Sequence, residues 1–490
     1  MSLTLSVDTA RSSLQATSDQ ISVVSRNIAR VHDPDATRKT ATIVSGPGAG
    51  VSIPQIDRTS NDLLFNAYLT ANSGNQAQTS IASALDQLQS TVDDTDQERS
   101  PAALMAKLSA ALQTYSGNPQ NPAVAASVVS AAKDVSNALN SASATVTQVR
   151  QQADSDIASS VSNINSLLSQ FQDLNNQVIR GTSNGSDITD VLDARDAVLK
   201  QLSTEVGIRT VSRNNGDMAI YTDSGVTLFD KVPRSVTFQQ TPNLAGGAPG
   251  AAVYADGVPI AGTSHIMEIQ SGKIAGLISV RDDVAVTYQS QLDEMARGLI
   301  NAFSETDQSA TPTLPPVAGL FTYSGGPALP PSGGVVAGLA SSIKINPNAD
   351  PSQGGNAELI RDGGISGNAA YKYNTSNAPS FTDRIQGLIS SLGSGQTFDA
   401  STQLPSSSSV ADYAKNSVSW LEALRQSVTS EADYRSTVAQ RATASLSQGT
   451  GVNLDEEMTN LLDLERTYQA SSRLISTVND MLSTLLQSFS

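Results

Sequence analysis

Chemistry at a protein site usually begins with histidine, cysteine or closely spaced carboxylates, and this chain of 490 residues is poorly stocked with the first two. His32 and His265 are its two histidines, far apart in sequence, and it has no cysteine. Disulfides, thiolate metal sites and thiol nucleophiles are therefore excluded, and zinc chemistry or histidine-based hydrolysis has almost no side chains to use. Three polar clusters invite a functional reading. Asp93, Asp94, Asp96 and Glu98 lack the spacing of a calcium loop and read as a solvated loop ahead of a helix start at Ser100-Pro101. Asn346, Asn348 and Asp350 imitate that spacing, but Pro351 stands where the loop needs glycine and Ala357 where it needs glutamate. Asp190, Asp193, Arg195 and Asp196 would suit acid–base work, yet no histidine or ligand set accompanies them, which points to a solvated or interfacial helix face. Gly46-Pro47-Gly48-Ala49-Gly50 lacks the strand-to-helix setting of a dinucleotide fingerprint, and no glycine-rich phosphate loop with its lysine occurs. The sequence thus predicts no catalytic residue, no cofactor, no metal and no enzyme.

Composition narrows the class further. Thirty Lys and Arg against 46 Asp and Glu give a formal charge of −16, which argues against nucleic acid or an acidic membrane surface as a partner. Nine Phe, 11 Tyr and one Trp are few for this length and favour long, narrow helical packings over one thick core. The first residues lack a basic segment followed by an apolar stretch, so no cleaved signal peptide is expected. No run approaches the ~20 apolar residues that span a bilayer, so no stable membrane insertion is expected either.

Heptad seams mark both ends. Leu3, Val7, Ala10, Leu14, Thr17, Ile21, Val24 and Ile28 advance by alternating steps of four and three. Leu461, Leu464, Tyr468, Ser471, Ile475, Val478, Leu482, Leu485 and Phe489 do the same at the other terminus. Such seams face a helical partner, and these two can face each other. The first helix is predicted over 3–29, ending before Asp33-Pro34-Asp35. The last is predicted from Leu454, with Asp455, Glu456 and Glu457 favoured by the positive end of its dipole.

Between the ends, extended pieces at 42–44 and 51–53 precede helical periodicity from Leu63 to Val92. Helices are predicted over 101–115, 122–139 and 146–179, the last with Ile157, Val161, Ile164, Leu168, Phe171 and Val178 on a seven-residue pattern. A shorter helix over 187–202 presents Ile188, Val191, Leu192, Leu199 and Leu202. Alternation then signals strands at 208–211, 218–221, 226–229, 236–238, 252–254 and 265–269, with turns at Asn214-Asn215-Gly216, Asp223-Ser224-Gly225 and Asp256-Gly257. Helix resumes at 271–277 and along Tyr288, Leu292, Met295, Leu299, Ile300 and Phe303. From Thr311 to Ile360, Gly and Pro make up 16 of 50 residues, and short strands are predicted at 319–323, 334–339, 343–345 and 371–373. Val410 to Leu446 is helical, and Gly449 to Gly451 interrupts it.

The predicted fold is mainly α with β insertions: terminal helices pairing as a coiled coil, a long helical rod domain, and an outer loop-rich β domain. The boundaries read as 1–60 for the N-terminal half of the inner domain and 61–310 for the rod, with a small β element at 207–270. Residues 311–400 form the outer insertion, 401–447 the returning rod helix, and 448–490 the C-terminal half of the inner domain. Leu3, Val7, Leu14, Ile21, Val24, Ile28, Leu461, Leu464, Tyr468, Ile475, Val478, Leu482, Leu485 and Phe489 are the candidate assembly residues.

Several stretches resemble the axial protein family of the bacterial flagellum, and most closely its hook-associated members. The run from Ser12 to Ala29, closing in Asn27-Ile28-Ala29, is similar to the family's first helix. Asp187-Ile188-Thr189-Asp190-Val191-Leu192-Asp193-Ala194-Arg195-Asp196 is similar to its internal Asp-Leu-Leu-Asp-x-Arg-Asp motif. Gly451 to Glu457 looks like the opening of its last helix, and Tyr468 to Ile475 like the segment that follows. One departure stands out: where the family usually has an Asn-rich turn leading to Gly-Tyr-Thr-Arg, Thr37 and Arg38 fit, but Asp35 and Ala36 replace the glycine and tyrosine. The resemblance implies a ring-forming helical self-assembly at the extracellular junction of hook and filament. Its implied partners are the hook protein, hook-associated protein 3, a flagellar export chaperone for the C-terminal helix, and the type III export apparatus. A hook or rod subunit, or an extracellular helical-stalk adhesin, is the alternative reading of the same ends.

Overall fold

A computed structural model describes residues 3–46, 50–92, 99–262 and 267–488. The acidic cluster at 93–98, the Pro47-Gly48 turn, His265 and Phe489 lie outside these residues.

Helix α1 (Leu3–Ala29) leads into four three-residue strands, β1 (Lys39–Ala41), β2 (Val44–Gly46), β3 (Gly50–Ser52) and β4 (Ile56–Arg58). β2 pairs with β3 and β1 with β4, both antiparallel, so residues 39–46 and 50–58 are the two arms of one long hairpin. Helices α2 (Asp62–Gln89), α3 (Pro101–Gly117) and α4 (Pro122–Asn184) follow, then α5 (Thr189–Glu205). Asn61, Ser100 and Asn121 cap α2, α3 and α4 by accepting from backbone N–H groups of the first turn.

One 63-residue helix replaces the two predicted over 122–139 and 146–179. At 1.5 Å per residue α4 is about 95 Å long. No large apolar residue stands between Leu139 and Val146, and Asn140, Ser141, Ser143 and Thr145 are weak helix formers, which is why periodicity alone divides the pair, but the other two linking residues are alanine and none is glycine or proline. Packing overrides propensity here. Ala142 and Val146 continue the buried stripe, the Ser143 hydroxyl donates to Gln289 Oε1 at 3.0 Å, and Asn140 donates to the Ala340 and Ile343 carbonyls.

Strands β5 (Ile208–Ser212), β6 (Met218–Thr222), β7 (Thr227–Asp230) and β8 (Val232–Pro233) form an antiparallel sheet in chain order. β9 (Val236–Thr237), β10 (Val253–Ala255) and β11 (Val258–Ala261) form a second sheet. The Asp256-Gly257 turn is left-handed at both positions, as a tight hairpin requires. The strand predicted at 265–269 is absent from the described part, 267–269, where Ile269 N–H makes a single bond to the Ile260 carbonyl. Phe171 on α4 meets Phe229 on β7 edge to face at 4.9 Å, fixing the first sheet to the long helix.

Helix α6 (Lys273–Ile278) passes through one π-helical segment at Ser279–Val284 into α7 (Ala285–Ala302). Its predicted apolar face, Tyr288 through Phe303, is buried. The Gly- and Pro-rich region beyond it is loop-rich, with β12 (Phe321–Thr322), α8 (Leu339–Ser342), β13 (Lys344–Ile345), α9 (Leu359–Asp362), α10 (Asp383–Gly393), β14 (Gln396–Thr397) and β15 (Ser407–Ser408). Most of 334–339 is coil leading into α8, and 369–371 is a 3₁₀ turn, where strands were predicted over 334–339 and 371–373. Helix α11 (Val410–Thr450) runs back along α2 and reaches one residue past Gly449; α12 (Leu454–Ser488) closes the described chain.

The main apolar core draws on residues from Leu69 to Leu421, with Phe65 and Val428 at its margins, and among the described residues it includes nothing from α1, the 39–58 hairpin or α12. Those three elements form a separate terminal unit.

Inside the core, Asp293 on α7 accepts hydrogen bonds from the Gly338 and Ala340 N–H groups at 2.9 and 2.8 Å and from Gln289 at 3.0 Å, tethering the start of α8. Burial outweighs these bonds and pushes its pKa up to about 6, with the Glu294 charge acting in the same direction. Between pH about 4, the ordinary aspartate value, and pH about 6 the folded chain then binds more protons than the unfolded one, so this residue makes stability fall as pH rises. Asp293→Asn is expected to remove a decline of roughly 2–3 kcal/mol over that interval, read as a flatter pH dependence of the urea midpoint; an unchanged slope would contradict the assignment.

Candidate functional site

The two heptad seams meet. Asn27 on α1 bonds Glu457 on α12 at 2.9 Å, and the Ser13 and Ser471 hydroxyls lie 3.5 Å apart, so descending α1 from Asn27 to Ser13 ascends α12 by an equal length from Glu457 to Ser471. The helices are antiparallel and in register. Val24 is buried, and Val7, Leu14, Ile21 and Ile28 are half-buried. On α12, Leu461, Leu464, Ile475, Val478 and Leu482 are half-buried while Tyr468 is exposed. The side chains of Leu3 and Leu485, and Phe489 altogether, fall outside what the structure describes. Ala16 and Val23 are also buried, one position off the predicted seam, because the 39–58 hairpin covers that flank of α1.

Among the described elements helix α12 packs chiefly on α1. Its remaining surface is not polar throughout. Leu454, Met458 and Leu462 lie to one side of the seam, and Leu474 and Met481, seven residues apart, to the other; all five are 43–55% exposed. At about 100° per residue this gives α12 an apolar arc wider than one partner helix can cover.

Where the helices leave the terminal unit, a polar hub replaces the apolar seam. Glu457, 1% exposed, accepts from Asn27 Nδ2 and, at 2.7 Å, from Arg38 Nε. Asn27 also donates to the Lys39 carbonyl at 2.8 Å and accepts from the Lys39 N–H at 3.1 Å, so its amide ties α1, β1 and α12 together. Arg38 N–H donates to the Thr450 carbonyl at the end of α11. Glu457 therefore does more than complement the helix dipole.

The helix read as solvated or interfacial supplies the other half of the hub. Asp193 is 1% exposed, and the cations around it come from the chain's first sixty residues. Arg30, Lys39 and Arg58 reach its carboxylate at 3.3–3.4 Å, and the Thr37 hydroxyl donates at 2.6 Å. Arg26 pairs with Asp187 at 3.1 Å, Arg30 and Lys39 with Asp190, and Arg58 with Asp196 at 2.6 Å. Arg195 is buried on the far side of α5, donating to Asn175 and to the Gly216 carbonyl. The solvated reading thus fails for Asp193 and Arg195: spacing shows which residues share a helix face but not what covers it.

Burial raises the pKa of Asp190, but the Lys39 hydrogen bond and the charges of Lys39, Arg30 and Arg26 lower it more, and the net shift is downward. For Asp187 the same upward effect of burial is outweighed by bonds from Thr189 and by Arg26. Asp196 goes the other way, burial prevailing over Arg58. Among the described residues no group of three His, Cys, Asp or Glu side chains could hold a metal ion, and no helix is long and apolar enough to cross a membrane.

Residues 85–312 match the flagellar hook-associated protein FlgK helical domain, and residues 445–488 match the flagellar basal body rod FlgEFG protein C-terminal family. Flagellar hook-associated protein 1 of Bacillus subtilis (strain 168) is 24% identical over 515 aligned positions, covering 98% of this chain and 97% of that protein. Along nearly its whole length the chain is similar to flagellar hook-associated protein 1. The Salmonella typhimurium member is 25% identical over 61% of this chain and 55% of its own length. A solved structure, the flagellar hook junction protein FlgK from Burkholderia pseudomallei, aligns at 20% identity and a TM-score of 0.43 over 53% of this chain and 47% of its own.

Three of the stretches that carry the hook-associated resemblance, Asn27-Ile28-Ala29, Asp187 to Asp196 and Gly451 to Glu457, converge on the hub. So does the departure after Ala29: Thr37 and Arg38, the two positions that fit, bind Asp193 and Glu457, while Asp35, in place of glycine, pairs with Lys200 at 2.8 Å. Removing the Asn27 amide leaves Glu457 and the Lys39 backbone short of partners in a buried place. Asn27→Ala is expected to destabilise the terminal unit by about 1–3 kcal/mol, speeding amide exchange in α1 and β1 about ten- to a hundredfold. Amides around Leu168 and Phe171 should keep their protection; unchanged exchange in α1 would refute a stabilising role for the hub.

Proposed function

We propose that the chain is a structural subunit of the bacterial flagellum that assembles with copies of itself on the hook and adapts hook to filament. The observation that carries this reading is the apolar arc of α12: α1 covers its centre, and Leu454, Met458 and Leu462 on one side and Leu474 and Met481 on the other remain open. Repeated contact between such arcs on neighbouring copies, related by a rotation about a common axis, closes into a ring or winds into a tube. The relatives' name, hook-associated protein, supplies the place.

On this reading Val7, Leu14, Ile21, Val24, Ile28, Leu461, Leu464, Ile475, Val478 and Leu482 hold the coiled-coil pair within one copy, and the exposed flanks meet the next. The hook protein lies below and hook-associated protein 3 above. Delivery is through the type III export apparatus, with an export chaperone shielding the apolar arc of α12 until assembly. The rod of α2, α3, α4 and α11 sets the spacing, and the work is mechanical, without turnover. The similarity to hook-associated protein 1 favours this over a hook or rod subunit or an adhesin.

Leu474→Asp combined with Met481→Asp alters the open flank without touching the seam. This chain is expected to keep its helix content by circular dichroism and to lose capping of isolated hooks, counted by electron microscopy, at about 2 kcal/mol or more per lost contact. Asp at Leu464, Ile475 or Leu482 should unpair α1 from α12 as well while sparing the body. Normal capping by the Leu474→Asp, Met481→Asp chain would sink the proposal.

A further inference from the structure

The terminal unit and the body share no apolar core: among the described residues the main core stops short of α1, the hairpin and α12. What joins them, besides the two chain connections, is polar. The carboxylates that α5 and its leading residue present, Asp187, Asp190, Asp193 and Asp196, recur every third residue and form a ladder. Each facing cation touches two neighbouring rungs. Arg26 lies 3.1 Å from Asp187 and 3.7 Å from Asp190; Arg30 lies 2.7 Å from Asp190 and 3.4 Å from Asp193; Lys39 touches the same two; Arg58 lies 3.4 Å from Asp193 and 2.6 Å from Asp196.

A cation already shared between two rungs can favour either without passing through an unpaired state. The rungs also differ in depth. Asp193, where three cations and Thr37 converge, is buried, whereas the Asp190 side chain is 55% exposed and that of Asp187 31%. The buried rung holds while the outer ones can exchange. Beside it, between the 31–37 segment, α5 and the end of α11, lies an open cavity of about 580 Å³ whose lining mixes Phe65, Tyr68 and Leu446 with Arg58, Asp196 and Lys200. Close packing does not block small rotations there.

We propose that the Asp187–Asp196 ladder is an electrostatic swivel: the terminal unit turns about Asp193 as Arg26, Arg30 and Arg58 trade between adjacent carboxylates, letting one fold present α12 at more than one angle to the rod. The proposal goes beyond the assembly reading and does not depend on it, because it concerns the free chain.

The chain has no cysteine, so spin labels can be placed singly. A reporter pair at Ser169→Cys on α4 and Gln469→Cys on α12 spans the swivel, and a control pair at Ser169→Cys and Thr114→Cys on α3 lies within the body. Distance distributions are measured by double electron–electron resonance from 0.01 M salt, where the Debye length is about 30 Å, to 1 M, where it is about 3 Å. The reporter distribution is expected to be broad or split at low salt, one distance for each pairing of cations and rungs, and to blur into one broad distribution at high salt, where the pairings are screened; a single narrow distance at low salt would overturn the swivel. In Asp190→Asn, which removes the rung that Arg26 and Arg30 trade, it is expected to narrow to one distance at low salt, with the control pair narrow throughout. A reporter distribution insensitive to both salt and Asp190→Asn would overturn the swivel, as would equal broadening of both pairs. Hook capping is a separate measurement, so either proposal can fail alone.

Discussion

Asn27 and Glu457 lie 430 positions apart and share a hydrogen bond that water scarcely reaches. A buried carboxylate is tolerated only when charges and donors replace its lost hydration. Arg38 and the Asn27 amide do this for Glu457, and both belong to the first forty residues. The bond therefore sets the register of α1 against α12, the direction of the chain into β1, and the point at which α11 must stop so that α12 can begin. Apolar seams alone permit a slip by a heptad. A buried polar pair does not, because a slip leaves both partners desolvated and unpaired.

The body obeys a different rule. Its long helices have little aromatic bulk, and α4 is held by a narrow stripe of Ala, Val, Leu and Ile that successive partners cover in turn: α3 and α8 towards its start, α6 and α7 along its middle, α5 and the first sheet towards its end. A rod of this kind gains stability in small equal increments along its length. It resists bending more than a loop-rich domain would, which suits the mechanical role proposed above.

Much of this was legible in the sequence. The bounds of α1 and the start of α12 follow from heptads and from proline and glycine breaks; β5, β6, β7 and β10 follow from alternation and from turns that need left-handed residues. The continuity of α4 was not legible, because no large apolar residue stands between Leu139 and Val146 to carry the period, and it is contacts with α7 and α8 that fix Asn140 and Ser143 within the helix. The extended pieces of the 311–400 region shrink to two-residue strands for a related reason: Gly and Pro mark irregular chain but do not say where it pairs.

The hub shows the same limit from the side of function. Asp193 and Glu457 stand among many exposed acids, and nothing in their spacing separates them from the rest. The sequence by itself determined that both ends are amphipathic helices, that the middle is a long helical body with small sheets, and that thiol chemistry is excluded while zinc or histidine chemistry has almost no side chains to work with. Those conclusions depend on residue type and period, which are local. Only the tertiary structure decided which carboxylates are buried, which cations meet them, and which flank of α12 stays open, because burial and charge pairing depend on residues hundreds of positions away.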